Sequence, residues 1–96
     1  MRVQELENEI IGKDFTYKKV KSTSQGSIFS AHNSDDGRLY GYEVFKRKLT
    51  PICIDFEKRV FSETDFKVRY PKTNDFGVWA WAPKTIERAE EILNML

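Results

Sequence analysis

Asp36-Gly37 constrains this chain more than any other pair of neighbours. A tight hairpin turn needs positive φ, which glycine adopts freely, and Asp-Gly between β-rich runs is the strongest short-range hairpin signal. Such runs lie on both sides. Ser27-Ile28-Phe29-Ser30-Ala31-His32 precedes the polar stretch Asn33 to Gly37, and Leu39-Tyr40-Gly41-Tyr42-Glu43-Val44-Phe45 follows it. Both are rich in aromatic and β-branched side chains, which suit a pleated, half-buried surface. Phe15 to Val20 has the same character and is cut off by the Ser/Thr/Gly cluster beginning at Ser22. These three runs predict a three-stranded antiparallel meander.

The flanks are read from periodicity. Val3, Leu6 and Ile10 fall at i, i+3 and i+7, which predicts a short amphipathic N-terminal helix ended by Gly12. Ile52, Ile54 and Phe56 alternate with Cys53, Asp55 and Glu57, and Phe66, Val68 and Tyr70 alternate with Lys67 and Arg69. That is the period-two pattern of half-buried strands, with Pro51 tolerated at a strand start. Pro71 to Asp75 is polar and turn-like. From Gly77 to Ala82, alternation puts Trp79 and Trp81 on one face and Val78, Ala80 and Ala82 on the other. Pro83, the N-cap candidate Thr85 and the stripe Ile86, Ala89, Leu93 and Leu96 predict a C-terminal helix, whose close approach Ala80 and Ala82 would permit. The expected fold is α+β, a single domain over residues 1–96. It comprises an antiparallel sheet of four to six strands, a short N-terminal helix and a C-terminal helix packed on one face.

Charge and cysteine content set the compartment and narrow the partners. Sixteen Lys and Arg against 15 Asp and Glu give a net charge of +1, which neither demands nor excludes nucleic acid. Cys53 is alone, so no internal disulfide forms. The opening MRVQELENEI lacks a signal-like apolar run, and no stretch approaches the ~20 apolar residues of a membrane span. A cytoplasmic protein without a membrane role is expected.

Catalytic chemistry has little to stand on. His32 is the sole histidine and sits at a strand end, where a structural or solvent-facing role is expected. Pairing it with Cys53 has no local signature behind it. The usual His and Cys metal sets fail on count, and Asp35-Asp36 lacks the spaced oxygens of a calcium loop. Five singly scattered glycines build no phosphate cradle; Gly41, inside a strand, marks a bulge or close packing. The carboxylates Asp55 and Glu57 share a strand face, as a solvated edge commonly does. No catalytic residue, cofactor or metal is expected.

Tyr42-Glu43-Val44-Phe45-Lys46-Arg47-Lys48, then Phe76-Gly77-Val78-Trp79-Ala80-Trp81 and the helix from Lys84, resemble small uncharacterised proteins of bacterial and phage genomes. Those proteins carry a YEVF-x-R-K block and an FG-x-WAW block before a short terminal helix. The likeness covers roughly the second half of the chain. It implies a compact accessory domain of mobile-element origin and brings no catalytic residues. The order of helix, meander and helix is also similar to double-stranded-RNA-binding domains. There the likeness ends, because the last helix here opens with only Lys84 and Arg88 in place of a dense lysine cluster.

Binding is the stronger expectation. Trp79, Trp81, Tyr40, Tyr42 and Arg47 are of the residue types that dominate protein hot spots, and would form one patch if their strands were neighbours. Lys46, Arg47, Lys48, Lys67 and Arg69 could instead meet aromatic faces to hold single-stranded nucleic acid. Near-neutral total charge favours a protein partner or a homodimer, since affinity for a polyanion rests on phosphate neutralisation. The plainer reading keeps the tryptophans as a small core and the cations as the wet face of a strand.

Overall fold

The computed structural model describes residues 2–96. It is an α+β fold with two mostly antiparallel sheets and a C-terminal helix. Strands β1 (Arg2–Gln4), β2 (Glu9–Ile11), β3 (Phe15–Ser22), β4 (Gly26–Asn33) and β5 (Leu39–Lys46) are followed by β6 (Leu49–Asp55), β7 (Val60–Val68) and β8 (Ala80–Trp81), then helix α1 (Ile86–Met95). The larger sheet has the order β2-β3-β4-β5-β8 and the smaller one β1-β7-β6, in which β1 runs parallel to β7. The expected single sheet of four to six strands is therefore eight strands in two sheets. No helix among the described residues is long and apolar enough to cross a membrane.

The meander forms as its turn chemistry requires. Gly37 takes φ +72°, its N–H donates to Asn33 O at 2.8 Å, and the Asp36 carboxylate accepts the Arg38 N–H at 2.9 Å. Gly41 serves both of its expected purposes. The β4–β5 register shifts beside it, and a Cβ there would lie 3.3 Å from Pro83 O.

The N-terminal helix is replaced by β1 and β2. Leu6 and Ile10 are still turned inward, against Phe29, Phe45, Trp79 and Ala80, so the apolar spacing is met by two short strands and the bend between them. Pairing with existing strands outweighs the local period: β1 lies on β7 and β2 on β3, while Lys19 Nζ donates to Leu6 O at 2.7 Å. Gly12 closes a hairpin instead of a helix, its N–H donating to Phe15 O at 2.8 Å.

The larger sheet is covered on both faces. On one, Ile28 and Val44 meet Ala89, Ile92 and Leu93 of α1, with Trp81 and Tyr42 at the margin. Thr85 caps the helix, its hydroxyl accepting the Arg88 N–H at 3.2 Å. Gly26 lets the chain end approach: a Cβ there would meet Phe45 O at 2.3 Å and Leu96 Cδ1 at 2.8 Å. On the other face Phe29 and Phe45 stack at 5.7 Å, and Tyr70 meets both edge-on at 5.4 and 4.9 Å.

The second sheet continues the first, since only Arg47 and Lys48 separate β5 from β6. This junction is pinned by Arg47 N–H to Gln25 O (3.0 Å), Lys46 N–H to Trp79 O (3.0 Å) and a bidentate ion pair of Arg47 with Glu5. Beyond it β6 and β7 form a hairpin, and β6 makes its principal contacts with β7 alone. The radius of gyration, 14.5 Å, exceeds the roughly 12–13 Å of a compact chain of this length, as a projecting arm requires. Arg69 N–H donates to Lys48 O, so by antiparallel alternation Pro51 faces its missing donor away from β7.

Candidate functional site

The two tryptophans do not share a face. A turn at Gly77–Trp79, with Gly77 at φ +89°, leaves only Ala80–Trp81 as strand, so the alternation expected from Gly77 onward is broken. Trp81 pairs with Val44 and packs on the helix side; Trp79 and Ala80 lie with Phe29 and Phe45 on the other. The assignment of Ala80 to the helix side is thereby reversed. Trp79 is only 6% exposed, edge-on to Phe45 at 6.4 Å.

The other nominated residues divide in the same way. Lys48 Nζ and Arg69 Cζ lie 5.5 and 5.4 Å from the Trp79 ring centre, so cations and an aromatic face do meet, over a ring that is already core. Tyr40 is exposed, holding Lys84 Nζ 3.8 Å above its ring, while Tyr42 is half-buried against the helix-side cluster. Lys46 lines a helix-side groove with Trp81, Arg88 and Met95. Arg47 is engaged by Glu5. Trp79, Trp81, Tyr40, Tyr42 and Arg47 thus form no single patch: Trp81 and Tyr42 pack on the helix side, Trp79 is buried on the other, and Arg47 is held by Glu5.

What the fold does assemble is a cleft of about 640 Å³ that runs from the base of the β6–β7 hairpin toward its tip. Thr50, Pro51, Cys53, Phe56 and Phe61 supply its arm side; Lys67, Arg69, Tyr70 and Lys72 supply its inner end. Thr50 pairs with Lys67 and Cys53 with Phe61 across the ladder, which places each pair on one face. No carboxylate lines the cleft. Among the described residues Lys67 and Lys72 make no ion pair, and Arg69 shares Asp75 at 3.5 Å.

Local structure sets the shape of the arm. The buried Ser62 hydroxyl accepts the N–H groups of Thr64 (3.2 Å) and Asp65 (2.8 Å), a side-chain turn that takes β7 out of register with β6. At the tip, Asp55 Oδ1 accepts the N–H groups of Glu57 (3.1 Å) and Lys58 (3.2 Å), and Arg59 takes φ +53°. The turn carries Phe56 outward at 87% exposure, with Ile54 at 69% and Phe61 at 52%. Sequence reasoning did not single out Phe56, Phe61 or Lys72. The available signal was a phenylalanine set directly against the charged turn Glu57-Lys58-Arg59.

The inner end is held by a buried polar contact. Tyr70 Oη donates to Glu43 Oε1 at 2.5 Å within the aromatic cluster, 5.4 Å from the Tyr17 ring. Burial raises the Glu43 carboxyl above its ordinary range despite this hydrogen bond, and burial likewise pushes the Tyr70 phenol far up. Asp75 is held low, chiefly by the Lys72 N–H at 2.8 Å. Tyr70 and Asp75 thereby fix the segment that presents Arg69 and Lys72. His32 and Cys53 line different clefts, and His32 is occupied by Ser30 Oγ (2.9 Å) and Gly37 O (3.2 Å). No protein-family model, curated protein or solved structure matches this chain.

Proposed function

We propose that this chain is a non-enzymatic binding module, an accessory protein of inhibitor or adaptor type, that docks a protein partner through its β6–β7 hairpin. The observation that carries this reading is the apolar tip: Ile54, Phe56 and Phe61 lie open on an arm that buries none of them. Large apolar side chains left exposed together on one arm of a small domain mark an interaction site, because burying them on a partner releases unfavourably hydrated area. With Trp79 buried, this reading puts the contact surface on the arm and not on the FG-x-WAW block. The mobile-element likeness of the second half of the sequence fits an accessory role.

The nucleic-acid alternative is favoured by the carboxylate-free cleft, where three cations adjoin two exposed rings. A polyanion extending past the cleft would meet exposed Glu57 and Glu63 interleaved with exposed Lys58 and Arg59, with Glu5 already held by Arg47, so the arm offers no continuous basic track. A protein partner does not need one. The test replaces Phe56 with the photo-crosslinker p-benzoylphenylalanine in expressing cells. A covalent adduct with a protein, including a second copy, is the expected product. An adduct with nucleic acid alone, or none, would overturn the reading.

A further inference from the structure

We infer that the cleft at the base of the hairpin is a receptor for a short acidic, apolar peptide segment. The inference rests on the protein-partner reading and specifies the chemistry of the partner's contacting segment. Three features select this occupant. First, the lining contains cations and apolar side chains and no carboxylate, so an anion there gains attraction without an internal competitor. Lys67 and Lys72 are exposed and unpaired among the described residues, and so keep their charge available to a partner.

Second, the apolar floor is close by. Pro51, Phe56 and Phe61 can cover one aliphatic or aromatic side chain, while neighbouring acidic residues reach Lys67, Arg69 and Lys72. Third, the mixed charge around the cleft limits how far negative charge can extend. Arg69 already shares Asp75, Glu5 is taken up by Arg47, and the arm beyond the cleft mixes exposed Glu57 and Glu63 with exposed Lys58 and Arg59, so a few carboxylates fit where a long phosphate chain finds no continuous basic track. Pro51 removes a donor from the free edge of β6, so the segment is held through side chains and not by joining the sheet as a new strand.

The test is selection from a displayed library of random dodecapeptides against the whole chain, followed by titration of an enriched peptide. Cys53 is exposed, is the only cysteine, and lines the cleft, so its maleimide reactivity reports occupancy. Enriched peptides are expected to carry Asp or Glu beside Phe, Leu or Ile, and to slow Cys53 labelling. The double variant Lys67→Glu, Lys72→Glu should weaken that peptide about tenfold or more while leaving the circular dichroism and melting temperature unchanged. Enrichment of basic or neutral peptides, no enrichment, or protection of Cys53 by oligo(dT) in place of the peptides would overturn the inference. A protein adduct at Phe56 that survives the double charge reversal would sink the cleft assignment while leaving the protein-partner reading standing. Absence of any protein adduct would sink both.

Discussion

The five-stranded sheet and the β6–β7 hairpin carry the same kind of sequence and meet opposite fates. Both are rich in aromatic and β-branched residues and hold phenylalanines at strand positions. The sheet runs apolar residues consecutively at Ile28-Phe29 and Val44-Phe45, where the hairpin alternates Phe66 and Val68 with polar neighbours. In the sheet, Phe29 and Phe45 lose all contact with solvent, because α1 covers one face and the segment around Tyr70 and Trp79 covers the other. In the hairpin, Phe56 and Phe61 stay open, because no described residue packs over them. Period-two alternation states that a strand has two unlike faces. It does not state that the apolar one is buried within the same molecule.

The sharpest way to break this contrast is to delete matched rings. Phe45→Ala should destabilise by about 3–5 kcal/mol, the usual range for a buried phenylalanine, whereas Phe56→Ala should change stability by less than about 0.5 kcal/mol. Urea unfolding measures both. A loss of several kcal/mol on removing Phe56 would mean that the hairpin tip belongs to the core. A smaller effect is expected at the close approach of α1. Gly26→Ala should cost about 1–3 kcal/mol, since its Cβ must displace Phe45 O and the Leu96 side chain. An unchanged midpoint would show that the chain end is not packed there.

The smallest effect concerns Glu43, and it sharpens what covers the sheet. Its folded pKa is raised, chiefly by burial, so the folded state holds the proton more tightly than the unfolded chain. That contribution is whole below the unfolded value and is lost as pH rises through the folded one. Wild type should therefore lose stability relative to Glu43→Gln as pH rises above the ordinary carboxylate range, compared by denaturant midpoints. Parallel curves would place Glu43 in contact with solvent.

Legibility in the sequence followed the reach of each signal. The meander, the Asp36-Gly37 turn and the Thr85-capped helix were legible because their determinants are local, carried by glycine φ, a capping hydroxyl and a 3.6-residue stripe. The N-terminal strands were not, because Val3, Leu6 and Ile10 satisfy helical spacing equally well, and only pairing with β7 and β3 decides between the two. The tryptophans misled for a related reason. The turn at Gly77–Trp79 is invisible to a period-two count, yet it sends the rings to opposite faces. Of the nominated residues, Lys67 and Arg69 line the cleft, joined there by Phe56, Phe61 and Lys72. Which strand faces stay uncovered depends on the whole topology and cannot be read from a window.

The two-residue passage from β5 to β6 also governs how the arm moves. Arg47 tied to Gln25 and Glu5, Lys46 to Trp79, and β7 paired with β1 all hold the junction against swinging of the hairpin. Arm and body should therefore tumble as one elongated particle, sharing a single rotational correlation time in amide relaxation. A load applied at the tip would travel as strain along β5 into the centre of the sheet, making the hairpin a lever and not a tether.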